Sequence, residues 1–356
     1  MGPGEDGFDV AWTVPFLCRG WVELVSRDHP EPLVFAHDGY GFIPQGTEVI
    51  RVPVTGLHPG MELRFRAVTE SMDDPSVRRT SDWRSLRTLD PAKGHTRFAV
   101  WSDTHSQEET IRTLDRITPR DLDFLAWNGD ICNDWHEEDA LIPTLLHPGG
   151  TDFTRGRPMI FNPGNHDVRG TWGFRLPSLV FRPGTKPYRA VRSGPVAILF
   201  LNTGEDKPDH HPTFHGRVAC QTLREEQALW LKQIIREPAI RDAPFRIVCC
   251  HLPLRWIVEK KVYDYDCCSE RSRILWHNSL IEWGAQLILS GHTHQFTYLP
   301  PEDGFPYAQV IGGGPDPQTS TLIQAEADKK TFKLTVLNLR KEPLLEEKFP
   351  ALSPSP

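Results

Sequence analysis

The sequence predicts an α/β domain preceded by a small all-β domain, and three observations carry that reading. The hydrophobic period changes near residues 88–96, strand and helix signals alternate after that point, and polar clusters punctuate the ends of the later strands. Before the change, residues 8–90 hold short apolar runs broken by turn residues: VAWTVPF, GWVELV, LVF, TEVIRVPVTGL and MELRFRAV. EVIRVPV and MELRFRAV alternate with period two, the pattern of half-buried antiparallel strands. Roughly seven such strands with Pro and Gly turns predict a β-sandwich over residues 1–92.

The polar stretch TLDPAKGHT, residues 88–96, reads as the linker, and residues 93–350 as the second domain. In it RFAVWS reads as a strand, EETIRTLDRI as a helix, DLDFLAW as a strand and EEDALIPTLL as a helix. PMIFN and VAILFLN follow as strands. The strongest helix is TLREEQALWLKQIIRE, with Leu223, Ala228, Leu231 and Ile235 on one face. FRIVCC, RILWHNSLIEWG and AQLILS continue the alternation, which argues for helices layered over a sheet. YAQVIGG, STLIQAEA and FKLTVLNL return to β alternation.

Composition excludes several classes. The 356 residues carry 40 basic and 47 acidic side chains, a net charge of −7, with 38% hydrophobic residues. That is ordinary for a globular chain and unlike a disordered tail, a coiled coil or a basic nucleic-acid arm. No run approaches the roughly 18 apolar residues of a membrane helix, so no membrane partner is expected. The opening MGPGEDGFDVAW lacks a basic–apolar leader, and the seven cysteines, including the adjacent pairs Cys249–Cys250 and Cys267–Cys268, show no CxxC spacing. Reduced thiols and a cytoplasmic location are the expectation, although a processed export signal would leave no trace.

The chemistry lies in five clusters at predicted strand ends. RFAVWS ends in Asp103-Thr-His105, DLDFLAW in Asn128-Gly129-Asp130, and PMIFNP in Gly164-Asn165-His166-Asp167. FRIVCC ends in His251, and AQLILS in Gly291-His292-Thr293-His294. In open α/β sheets ligands bind at that edge, so the clusters would converge on one crevice. Carboxylates, a carboxamide and several imidazoles suit Zn, Mn or Fe better than Mg or Ca. The glycines beside Asp130, Asn165 and His292 would let the backbone bend and turn the side chains inward.

The order DTH, NGD, GNHD, isolated His and GHTH resembles the calcineurin-like metallophosphoesterase superfamily, with motifs spanning residues 103 to 294. That resemblance implies a four-layer α/β/β/α sandwich and a dinuclear centre of two divalent ions: Mn, Fe or Zn, with Mg or Ca as the harder alternatives. One ion would be held by Asp103, His105, Asp130 and His294, the other by Asp130, Asn165, His251 and His292, with Asp130 bridging. A hydroxide bridging the ions would attack a small phosphate monoester or diester. His166 would act as the acid on the leaving group, Asp167 would orient its imidazole, and Asn165, His166 and Arg169 would contact substrate.

The segment TGLHPGMELRFRAV resembles the late strands of fibronectin III-like domains, and the two-domain layout is similar to that of purple acid phosphatases. That subfamily carries an iron-binding Tyr three residues after the second-motif Asp. Here Asn133 stands there and His105 replaces a Gly, so no purple ferric centre is expected. LNTGEDKPDHHPTFHG resembles a loop of bacterial two-domain metallophosphoesterases; its His210, His211 and His215 read as loop residues on the substrate rim rather than as a third metal site. Two other readings compete: a catalytically silent scaffold, opposed by a complete set of motif residues, and a nuclease, opposed by the net charge of −7. Two bound divalent ions would bring that charge to about −3 and supply a local positive field for an anionic substrate. The sequence leaves the oligomeric state open.

Overall fold

The computed structural model describes residues 1–38, 40–181, 184–255 and 268–353. The first unit holds eight strands: β1 (Gly7–Thr13), β2 (Cys18–Ser26), β3 (Leu33–Phe35), β4 (Gln45–Gly46), β5 (Val49–Thr55), β6 (Glu62–Ser71), β7 (Arg78–Thr80) and β8 (Arg84–Arg87). β1 pairs with β5, and β3-β2-β6-β7 form a second sheet to which β4 and β8 add. Alternate residues of β5, Ile50, Val52 and Val54, meet Val22 and Leu24 of β2 in one core, as the period-two reading requires.

The second unit contains β9 (Thr96–Trp101), α1 (Glu108–Ile117), β10 (Phe124–Asn128), α2 (Leu141–Leu146), β11 (Met159–Asn162), α3 (Leu176–Val180), β12 (Arg189–Ser193) and β13 (Val196–Leu201). Then come α4 (Cys220–Ile234), α5 (Pro238–Arg241), β14 (Phe245–Cys250), α6 (Cys268–Trp283), β15 (Leu287–Ser290), β16 (Thr297–Leu299), β17 (Ala308–Ile311), β18 (Thr321–Ala327), β19 (Thr331–Asn338) and β20 (Pro343–Pro350). They build two six-stranded sheets, ordered β11-β10-β9-β18-β19-β20 and β12-β13-β14-β15-β17-β16. Phe98, Val100, Phe124 and Ile160 of the first sheet face Ile198, Phe200, Ile247 and Leu289 of the second in a continuous core. The outer face of the first sheet is covered by α1, α2 and α3 through Leu114, Leu145 and Leu179. The outer face of the second is covered by α4, α5 and α6 through Leu231, Ile240 and Trp276. The result is a four-layer α/β/β/α sandwich behind an all-β region.

Three details depart from the sequence expectation. The 88–96 segment is anchored: Leu89 is buried in the intersheet core, and its N–H donates to the Gly4 carbonyl at 3.0 Å. On α4 the buried side carries Arg224 and Gln227 beside Leu231, while Leu223 and Ala228 are only half-buried. These polar side chains are buried because they satisfy a loop: Arg224 Nε donates to Thr203 O at 2.9 Å and Gln227 Nε2 to Asn202 O at 2.8 Å. The charged edge strand β20 also escapes the apolar pattern, since its residues are mostly exposed. Cys18, Cys132, Cys220, Cys249 and Cys250 are free and buried, while Cys267 lies outside the described residues. Among the described residues no helix is long and apolar enough to cross a membrane.

Candidate metal centre

β9, β10 and β11 run parallel side by side, as do β14 and β15 in the other sheet, so their carboxyl ends open on one edge. Two buried asparagines brace the sheets there. Asn128 Nδ2, at the end of β10, donates to Cys250 O of β14 at 3.1 Å, and Asn162 Nδ2, at the end of β11, donates to Asn128 Oδ1 at 2.8 Å and to Leu201 O of β13 at 3.2 Å. The sequence reading missed Asn162 as a brace. Its signal was a carboxamide closing an otherwise apolar strand.

The loops past those strand ends are bent hard. Among the described residues nine other than glycine have positive φ, and five of these are predicted ligands: Asp103 (56°), His105 (45°), Asp130 (52°), His292 (74°) and His294 (54°). Each such residue costs on the order of 1 kcal/mol or more, and strain of that kind collects at functional sites. Glycine is needed where loops meet. A Cβ on Gly164 would stand 2.3 Å from Asp130 Oδ1, and one on Gly129, at φ 86°, would stand 2.4 Å from His251 Nδ1.

This backbone brings two groups of potential ligand atoms together, Asp103–His105–His294 and Asp130–His251–His292, each within 4.8 Å. Asp130 joins them: its Oδ2 lies 3.7 Å from His105 Nε2 and 3.1 Å from His251 Nε2. Asp103 Oδ1 lies 3.5 Å from His294 Nε2 and 3.8 Å from His251 Nε2. Asn165 Oδ1 sits 3.0 Å from His292 Nδ1. Thus the structure gathers all seven residues that the motifs single out as ligands.

The donor set fits a pair of cations. His251 Nε2 and Asn165 Nδ2 are buried with no hydrogen bond, although His251 Nε2 is close to Asp130. His105 Nε2 and His294 Nε2 face each other at 2.9 Å, an arrangement of lone pairs that needs a proton or a cation between them. The far nitrogens are fixed: His105 Nδ1 meets Asn133 Oδ1 at 2.6 Å and His251 Nδ1 meets Asn128 O at 2.8 Å. Such partners set the tautomer and aim the other nitrogen inward. Asn133, at the position of the absent tyrosine, therefore orients a histidine. Burial alone would push the His251 imidazolium down, but Asp130 and Asp103 outweigh it and raise its pKa to about 10. Burial and neighbouring His251 push His292 down to about 4. Burial would raise the Asp130 carboxyl, and His251 outweighs it, leaving Asp130 ionised far below the usual range.

His166 stands beside both groups and belongs to neither. Its N–H donates to Asp130 Oδ1 at 2.9 Å, and its Nδ1 meets Asp134 Oδ1 at 2.7 Å. Burial would lower its pKa, but the Asp134 hydrogen bond and the Asp130 charge prevail and raise it. Asp134 thus replaces Asp167 as the residue that orients the imidazole. Asp167 is fully buried and accepts from the N–H groups of Asp130 (2.8 Å), Ile131 (3.0 Å) and Gly164 (2.8 Å), stapling the second and third motif loops together. Its carboxylate is turned to these backbone donors, while the His166 ring is held at Nδ1 by Asp134. Burial, then Asp130, push the Asp167 carboxyl up to about 6, against those hydrogen bonds. Asp134→Asn should lower kcat by about 10- to 100-fold, part of what a general acid contributes, and leave the metal content intact. Steady-state kinetics beside elemental analysis check this.

Arg169 is held rather than free. Its Nε donates to both Glu205 oxygens at 2.9 Å, and its Nη2 donates to Glu205 Oε2 at 2.8 Å and to Asp206. Only Nη1 turns toward the reaction corner, 3.3 Å from His166 Nε2. Burial raises the Glu205 carboxyl to about 7 against the pull of Arg169. Of the 204–215 loop, Glu205 and Asp206 reach the site through Arg169. His211 Nδ1 accepts from Thr213 N at 3.3 Å, and His210, His211 and His215 join neither cation group.

Comparison with known proteins agrees with this geometry. The family model described as calcineurin-like phosphoesterase matches residues 96–296. Purple acid phosphatase 21 of Arabidopsis thaliana is 22% identical over 220 residues, 59% of this chain and 46% of that protein, so the chain spans about half the length of this curated relative. Among solved structures the chain is similar to purple acid phosphatase PPD1 from yellow lupin (Lupinus luteus) seeds, with a TM-score of 0.71 and 11% identity over 98% of this chain and 72% of that one. It is also similar to PhoD, with a TM-score of 0.65 and 12% identity over 98% of this chain and 87% of that one. The family match, the motif order and the two converging groups of potential ligands lead to one conclusion: the chain belongs to the calcineurin-like phosphoesterase family.

Proposed function

We propose that the chain hydrolyses a small phosphate monoester or diester. One ion would be held by Asp103, His105, Asp130 and His294, and the other by Asp130, Asn165, His251 and His292. The observation that carries this assignment is Asp130 Oδ2, one oxygen facing an imidazole from each group. When bound, the ions supply Lewis acidity toward phosphoryl oxygens and lower the pKa of coordinated water. The imidazole and carboxylate donors favour Mn, Fe or Zn. The remaining steps belong to the chain's own residues. Asp134 holds His166 by Nδ1, which leaves Nε2 to protonate the departing alkoxide. Arg169 Nη1, fixed beside that nitrogen by Glu205, offers a charged hydrogen bond to a phosphoryl or leaving-group oxygen. Asn165 carries a buried amide N–H group with no hydrogen bond of its own, which we assign to a phosphoryl oxygen.

The test uses p-nitrophenyl phosphate and its bis-ester with chelator-stripped protein and added Mn, Zn, Fe or Mg. Stripped protein should be inactive, and Mn, Zn or Fe should restore turnover of at least one ester more than Mg does. No activity on either ester with any metal would overturn the hydrolytic reading.

A further inference from the structure

Beside the His166 corner a cavity of about 300 Å³ opens between residues 168–177 and the start of α4. It shares Asp134 and Arg169 with the site, and its apolar wall includes Val168, Phe174, Phe214 and Leu223. Phe174 is 72% exposed. Instead of being buried, it stacks on Trp172 at 5.9 Å and 29° and presents its ring at the cavity edge. Behind it, Phe214 is buried, its backbone carbonyl accepting from Arg217 Nε at 3.1 Å.

The position of the cavity ties it to the leaving group. His166 Nδ1 is occupied by Asp134, so the oxygen that takes a proton from His166 must meet Nε2. Nε2 lies 3.3 Å from Arg169 Nη1, and Arg169 is part of the cavity wall. The cavity therefore adjoins the place where that oxygen would meet Nε2 and is open to the group it carries. We propose that this cavity seats a flat aromatic ring on the leaving alcohol, so that the enzyme prefers aryl or nucleoside phosphate esters to simple alkyl ones. This rests on the phosphoesterase function proposed above. About 150 Å³ is enough to hold benzene, so the space admits a ring with substituents. The exposed face of Phe174 supplies offset stacking, which discriminates rings from alkyl chains.

The test compares metal-loaded wild-type and Phe174→Ala enzymes on phenyl, ethyl and adenosine 5′-phosphate esters, each as monoester and methyl diester. The intrinsic reactivities of the esters cancel when each variant's aromatic-to-ethyl ratio of kcat/KM is compared. Loss of the ring should lower the phenyl or adenosine ratio by about three- to tenfold. The ratio that falls identifies an aryl or a nucleoside source, and either fall supports the proposal. Equilibrium binding of p-nitrophenol should weaken in parallel. Unchanged ratios with active wild type would overturn the proposal alone. Inactivity of wild type on every ester would overturn the phosphoesterase function and this proposal with it.

Discussion

Asp130→Ala should abolish hydrolysis, lowering kcat/KM by ~10⁴-fold or more, because the bridging ligand proposed here would anchor both ions, and metal electrostatics supply several kcal/mol of transition-state stabilisation. Every part of Asp130 is engaged. Its Oδ2 faces His105 and His251, its Oδ1 accepts the His166 N–H at 2.9 Å, and its own N–H donates to Asp167 at 2.8 Å. Removing the carboxylate leaves His251, which is fully buried, without the nearer of its two balancing charges. Because that imbalance could unfold the chain, Asp130→Asn is the companion variant. It keeps the side chain's size and the Oδ1 acceptor while removing the charge. It should melt closer to wild type than Asp130→Ala does and still be inactive; a well-folded Asp130→Asn enzyme with wild-type turnover would contradict the role.

His166→Ala should lower kcat by about 10²–10⁴-fold, the usual contribution of a general acid, with both ions retained. The reasoning is geometric: its side chain joins neither cation group, and its Nδ1 is committed to Asp134 at 2.7 Å. The loss should shrink on esters of acidic alcohols, whose leaving groups need no proton. Kinetics on phenyl and p-nitrophenyl esters, beside metal counts, separate this from ligand loss. A variant that released an ion would make His166 a ligand, and one that lost equal activity on both esters would remove its role as acid.

The sequence showed most of this site because its chemistry is written in short motifs at strand ends. Asp103, His105, Asp130, Asn165, His251, His292 and His294 could be named from spacing and resemblance, and the fold places them within reach of one another. Residues that act through others were harder to read. Asp134 lies one residue beyond the position where the comparison with purple acid phosphatases directed attention, and Asp167, adjacent to His166 in sequence, turns its carboxylate to backbone donors instead. Sequence adjacency does not set side-chain direction in a tight turn. Glu205 and Asp206 were legible only as loop residues, since their role depends on Arg169 arriving from another segment. The same limit applied to α4. A helical period marks a buried face, but it cannot say that Arg224 and Gln227 are buried in order to satisfy loop carbonyls.

Counting metal ions per chain tests the shared centre most directly. Chelator-stripped wild type reloaded with Mn or Zn and freed of excess ion should hold two ions per chain, and folded Asp130→Asn and Asp130→Ala chains treated identically should hold fewer than one. Two ions retained without the Asp130 carboxylate, or fewer than two in wild type, would contradict a dinuclear centre bridged by that residue.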